Sequence, residues 1–378
     1  MILPTTYQAA VLLLVLSMVS WGSWANAFKL TGPKWRFELF SYDYAFGVLL
    51  ASLIAAFTLG SLGSDLTFSD RLLVAGARNQ AFIFAGGVVF CIANTLLMAA
   101  ISIAGMSVAF PVGIGLALVV GVTMNYILEP QGNPYLLFGG IVLVTLAILA
   151  DSQAYRLKDR DQSRASRNAK AAEGKTAGGE TAAASGNGSP AARLAPRGSI
   201  QPQPKKPTKS VGRGIFISLL AGLLMGFFYP LVSTGMMGEL GAGAYGAAVV
   251  FSIGLVVATL AFNFVILNIR LIGDPISIRA YFSGTLRQHL LGIVGGMVWA
   301  VGCITNFAAA TAPESIQVGP AISLAMGQCA TLISVLWGLF VWKEFKGASK
   351  AVSWTLAVMI LLFAGGLALL SLAPIIKF

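Results

Sequence analysis

The sequence predicts an all-α integral membrane protein with ten transmembrane helices arranged as two inverted five-helix repeats. Three observations predict it. The chain is 57% hydrophobic and only 10% charged, with a mean hydropathy of +0.81, too apolar for a water-soluble surface. Its apolar runs reach roughly 20 residues, enough to cross a ~30 Å hydrocarbon core as helix. A central polar segment divides those runs five and five.

The predicted spans are Tyr7–Phe28, Tyr42–Gly60, Ala81–Ile101, Ser107–Leu128 and Tyr135–Tyr155, then Gly214–Met237, Tyr245–Leu267, Leu290–Ala310, Ile316–Trp342 and Ser353–Leu372. No basic region precedes the first run, so it reads as a retained span and not a cleaved leader. Residues 1–156 form the first membrane half, 157–212 a disordered basic linker and 213–378 the second half. The stretch from Asp151 to Arg213 holds 13 Lys/Arg against 5 Asp/Glu, interleaved mainly with Ala, Gly, Ser and Asn. Such a composition buries too little apolar surface to offset its ordering entropy.

The linker supplies most of the net charge of +11. That charge marks a cytoplasmic membrane face and not a nucleic-acid site, since no folded basic domain carries it. A cytoplasmic linker puts both termini outside. The loops with Lys29, Lys34 and Arg36, with Arg270, Arg279 and Arg287, and with Lys343, Lys346 and Lys350 then fall inside, as the positive-inside rule requires. The expected location is a multi-pass plasma or inner membrane protein, and a homodimer is a candidate assembly.

An odd-numbered half followed by its copy must insert the copy upside down. A copy is visible: Gly86-Gly87, Val89, Ala99-Ala100 and Pro111 recur as Gly295-Gly296, Val298, Ala308-Ala309 and Pro320 at a constant offset of 209. Inverted repeats are the architecture of secondary transporters, whose solute site lies near the midplane between halves.

Candidate site residues follow from that expectation. Trp21 and Trp24 share a helix face beside Asn26. They would line a pocket or form an interfacial aromatic belt. Trp299 is a candidate in the eighth span. Pro111 and Pro320 interrupt matching spans, and Tyr229 precedes Pro230 in the sixth; interruptions of this kind are the best sequence pointer to a transport site. Asn94, Asn306, Gln317 and Gln328 place neutral amides inside spans, where they bind solute or join helices. As a set they suit an uncharged polar solute better than an ion.

The carboxylates read as boundary groups. Asp43, at the inner end of the second span, would pair with Lys29 or Lys34; Asp43 and Glu314 are candidates for proton coupling or gating. Cys91, Cys303 and Cys329 sit in apolar spans without metal-ligand spacing, and the chain has one histidine. No metal site, cofactor or His-based relay is expected, and no acid/base cluster points to an enzyme. Residues Ala169 to Thr176 approximate a phosphate-binding loop but lack its first glycine and its strand–helix context. Nucleotide binding is not expected.

The five-plus-five layout resembles the drug/metabolite transporter (DMT) superfamily, with its EamA-like fold. More narrowly, Trp21-Gly-Ser-Trp-Ala-Asn26 followed by Ser41-Tyr-Asp43-Tyr44 is similar to the opening of the ureide permeases and of the glucose/ribose-type (GRP) sugar transporters. The resemblance implies uptake of a small uncharged polar solute, a sugar or a ureide- or nucleobase-like compound, with protons as a candidate coupling ion. Export of drugs or metabolites, known in the same superfamily, is the alternative, and a regulatory scaffold acting through the linker is a third.

Overall fold

The computed structural model describes residues 1–32, 34–63, 66–182, 211–269, 274–313, 316 and 318–376. All regular structure among these residues is helical: α1 (Tyr7–Ser23), α2 (Ala25–Leu30), α3 (Phe37–Phe57), α4 (Phe68–Val74), α5 (Ala77–Ala104), α6 (Met106–Leu128), α7 (Pro134–Ala182), α8 (Val211–Met236), α9 (Gly243–Asn268), α10 (Arg279–Phe282), α11 (Leu286–Ala310), α12 (Pro320–Gln328), α13 (Ala330–Leu336) and α14 (Lys350–Leu372). A π-helical turn, Trp337–Val341, closes α13. Ten segments are long and apolar enough to span a membrane, at the ten predicted places. Large apolar side chains such as Phe216, Phe264, Trp354 and Leu361 stay exposed on the outside, as lipid-facing helices require.

The ends differ from expectation for local reasons. Gly105, at φ 88°, alone separates α5 from α6. That left-handed backbone suits glycine and lets α6 begin upstream of Pro111, which therefore lies inside α6 and does not open it. Pro320 does open α12, at its first turn, where a missing N–H goes unneeded. The fifth span runs on as helix: residues 157–182, expected as the start of the disordered linker, continue α7. Ala, Lys, Arg, Gln and Glu dominate there and are strong helix formers. The rest of the linker lies outside the described residues. The first span breaks between α1 and α2 at Trp24, and the ninth breaks at Cys329.

The helix pairing maps onto itself when the halves are exchanged. α5 packs on α8, and its counterpart α11 on α1–α2; α6 packs on α8, and α12–α13 on α1; α3 packs on α11, and α9 on α5. The pairs α7 with α14 and α3 with α9 are their own counterparts. The repeated glycines sit at equivalent contacts. A Cβ on Gly87 would overlap the Phe251 carbonyl, and one on Gly296 the Tyr44 carbonyl. Gly86 faces Phe228 and Val232 of α8, whereas Gly295 faces Trp24 and Ala27 of the first span. This is the pairing expected of two inverted copies.

Gly87→Ala and Gly296→Ala should therefore each lower thermal stability in detergent, by about 1–3 kcal/mol for overpacking. Gly115, whose Cβ would meet nothing within 4 Å, is the control: Gly115→Ala adds helix propensity and should leave the melting temperature equal or higher.

Candidate functional site

A cavity of about 440 Å³ lies between the halves. Its walls come from the first span, the start of α3, α5, α6, α7, α8, α11 and the ninth span. It reaches from an aromatic layer in the middle of the bundle to Lys29, Tyr155, Trp342 and Glu344 at the end where the linker attaches.

The layer centres on Trp299. Trp21 stacks on it with ring centroids 6.0 Å apart and Phe251 at 5.8 Å, while Phe90 tilts against it at 4.7 Å. Trp24 lies beside Tyr44 at 5.1 Å. Trp21, Trp24 and Trp299 all line the cavity, so the two first-span tryptophans are pocket residues and not a belt at the lipid boundary.

The polar candidates divide into three groups. Asn94 and Gln328 line the cavity, and among the described residues neither side chain bonds to another. Asn26 also lines it, but its Nδ2 donates to the Ser23 carbonyl at 2.9 Å and its Oδ1 accepts from Trp342 Nε1 at 2.6 Å. Asn306 is fully buried: it accepts from the Tyr229 hydroxyl at 2.5 Å and donates to the Ser323 carbonyl at 2.9 Å and to Ser17 Oγ at 3.3 Å. It joins α1, α8, α11 and α12 and does not face the cavity. Pro111 and Pro320, like Tyr229, lie outside the lining. Gln317 and Glu314 lie outside the described residues.

At the linker end the first and ninth spans are bolted together. Trp337 Nε1 donates to Ser23 Oγ at 2.9 Å, and Lys29 Nζ lies 2.5 Å from Glu344 Oε1 and 4.1 Å from the Trp342 ring centre. Tyr155 of α7 donates to Glu344 Oε2 at 3.1 Å. Partial burial raises the Glu344 pKa, but the hydrogen bond and charge of Lys29, helped by Tyr155 and Lys158, outweigh it and hold the carboxyl below its ordinary value.

Asp43 is not paired with Lys29 or Lys34. Its Oδ1 accepts from the Tyr281 hydroxyl at 2.6 Å, and its Oδ2 lies 2.8 Å from His289 Nδ1. The two contacts tie α3 to α10 and α11. Burial, and then the Asp43 hydrogen bond, push the Tyr281 phenol up, so it stays a donor. A count of one histidine gave no hint of this pairing, because the partner lies 246 residues away.

The sequence reading places no carboxylate at mid-span and passes over Asp151 near the end of the fifth span, yet Asp151 lies within α7, 5% exposed, and lines the cavity. The signal was there: Asp151 continues the buried stripe of Val144, Ala147 and Ile148 at helical spacing.

Comparison with known proteins agrees with this architecture. The chain is 25% identical to ureide permease 2 of Arabidopsis thaliana, covering 98% of each protein. It is 26% identical to ureide permease 1 of the same plant, covering 96% of each. A probable ureide permease A3 of Vigna unguiculata aligns at 26% identity with 37% of the chain. A solved structure, described as a crystal structure of a protein, shares the fold with a TM-score of 0.55 at 16% identity, over 96% of both chains. The sequence pattern of the ureide permease family matches residues 41–373, and the chain belongs to that family of membrane transporters, not enzymes.

Proposed function

We propose that the chain moves a ureide-type solute across the membrane by alternating access, with the linker on the cytoplasmic side and both termini outside. Such a solute is small, uncharged and rich in amide N–H and C=O groups. The observation that carries this reading is the pairing of free amides with aromatic faces in one cavity. Asn94 and Gln328 each offer a donor and an acceptor with no competing protein partner. Trp21, Trp24 and Trp299 offer flat apolar surfaces to a planar solute. Asn26 acts one step back, by holding Trp342.

Alternating access is supported by an asymmetry between the halves. The packing of α8 against α5 and α6 is more extensive than the counterpart packing of the first span against α11 and the ninth span. Two copies of one design in different conformations leave a cavity at one end, and exchanging the conformations would open the other. The Asp43–His289–Tyr281 cluster, off the cavity, acts as a gating contact that locks the second and eighth spans. A sugar would use the same aromatic faces, and export would use the same cavity; substrate competition separates these.

Labelled allantoin should enter proteoliposomes containing the full chain, with little competition from glucose or ribose. Asn94→Leu and Gln328→Leu should each cut uptake about tenfold or more, since each removes one or two hydrogen bonds of ~1 kcal/mol with little change in melting temperature. No allantoin uptake, with raised resistance of cells to unrelated toxic compounds, would transfer the reading to export. Asp43→Asn and His289→Ala should behave differently. Each removes a partner from a partly buried hydrogen-bonded cluster, at a cost of about 1–3 kcal/mol, so the melting temperature should fall while any uptake that remains keeps its dependence on a proton gradient.

A further inference from the structure

We propose that Asp151 is the proton-binding residue of the cavity, a role that rests on the transport reading above. The carboxylate is 5% exposed, lines the cavity, and its Oδ1 is buried with no hydrogen-bond partner among the described residues. An ionised carboxylate there would leave that oxygen charged and without a donor, which an apolar interior penalises heavily. A proton removes the charge and supplies the missing hydrogen.

The surrounding charges favour a proton over a metal cation. On α7 itself, Tyr155 is committed to Glu344, and Lys158 lies over the rings of Tyr155 and Phe345 at 5.6 and 4.8 Å. From α2, Lys29 is committed to Glu344. The charge that acts on Asp151 is that of Glu344, also negative. Of the helices packed on α7, α14 carries a charge only at Lys350, its first residue, and α6 carries none, with Tyr126 near its far end. Lys343 and Lys346 lie in the loop around Glu344, outside the lining. A metal ion needs several oxygen ligands, and Glu344 already accepts from Lys29 and Tyr155.

The step is a transfer of one proton from water in the cavity to the Asp151 carboxylate, giving a neutral acid. Its release to water follows once the site faces the other side. Ionised Asp151 sets a second negative charge beside Glu344 and competes for Lys29. Protonated Asp151 leaves Lys29 to Glu344 and so favours the bolt between the first and ninth spans. Proton occupancy and closure of the linker end are thereby linked.

Asp43 is the rival site, and geometry separates the two. Both Asp43 oxygens have partners and the residue does not line the cavity.

The test uses the full chain in proteoliposomes with labelled allantoin and an imposed proton gradient, and infrared titration of the same protein in detergent. Wild type should accumulate allantoin, by at most about tenfold per pH unit at one proton per solute. Asp151→Asn should only equilibrate it. One component of the carboxylic-acid carbonyl band, growing while the exposed carboxylates are still ionised, should appear on acidification in wild type and in Glu344→Gln, and should be missing from Asp151→Asn. Gradient-driven accumulation by Asp151→Asn, a band unchanged in that variant, or accumulation that follows sodium instead of protons would each overturn the assignment. If wild type moves no allantoin, the ureide reading falls, whereas the infrared band still decides for or against Asp151.

Discussion

Contact of backbone on backbone at paired glycines is the constraint on which the rest of the bundle depends. Apolar helices in lipid gain nothing by hiding from water, so close packing must hold them together. Gly87 meets the carbonyl of Phe251, and Gly296 meets the carbonyl of Tyr44. The rings of those same two residues flank Trp299, at 5.8 and 6.1 Å, and Trp299 is one turn from Gly296 on α11. The glycine contacts therefore do more than close the gap between helices. They set the height and spacing of the aromatic layer that floors the cavity, so site and fold are specified by one set of contacts.

The two halves share a helix pairing and differ around the cavity. Gly22 of the first span abuts Ala330 and Ile333 of the ninth, as Gly226 of the sixth abuts Val120 and Gly121 of the fourth. Yet α8 is continuous through Pro230, while the first span breaks at Trp24 and the ninth at Cys329. Both broken spans line the cavity. Breaks release backbone groups and let a helix end turn independently of the rest, and here the turned ends carry the Lys29–Glu344 bolt.

The number and places of the ten apolar spans were legible because they depend on local composition, and the helix pairing is consistent with the repeat read at a fixed offset. Trp21, Trp24, Asn94 and Gln328, whose residue types are unusual inside apolar helices, do line the cavity. The roles of Asn306 and Tyr229 were not legible. A buried amide reads the same whether it faces a cavity or another helix, and only three-dimensional neighbours, Ser17 and Ser323 here, decide. Asp151 was hidden by its neighbours: it stands near the end of the predicted fifth span, where charged residues begin, and reads like one of them although its side chain is on the buried face of α7. His289 was hidden by rarity, since composition counts a residue but says nothing of what stands beside it.

The carboxylates show how burial sorts function from structure. Inside a low-dielectric bundle an acid is tolerated in two ways: donors can be built around it, or it can hold its own proton. Asp43 follows the first, with Tyr281 and His289 each committed to one oxygen. Glu344 follows it too, through Lys29 and Tyr155. Neither needs anything from outside the protein, and both join elements that must move together. Among the described residues Asp151 has a buried oxygen without a donor, and it lines the same cavity as a second carboxylate, Glu344. Of the described carboxylates that line the cavity, Asp151 and Glu344, it is Asp151 that has an oxygen the fold leaves without a donor, and that difference is why the proposed proton is assigned to it.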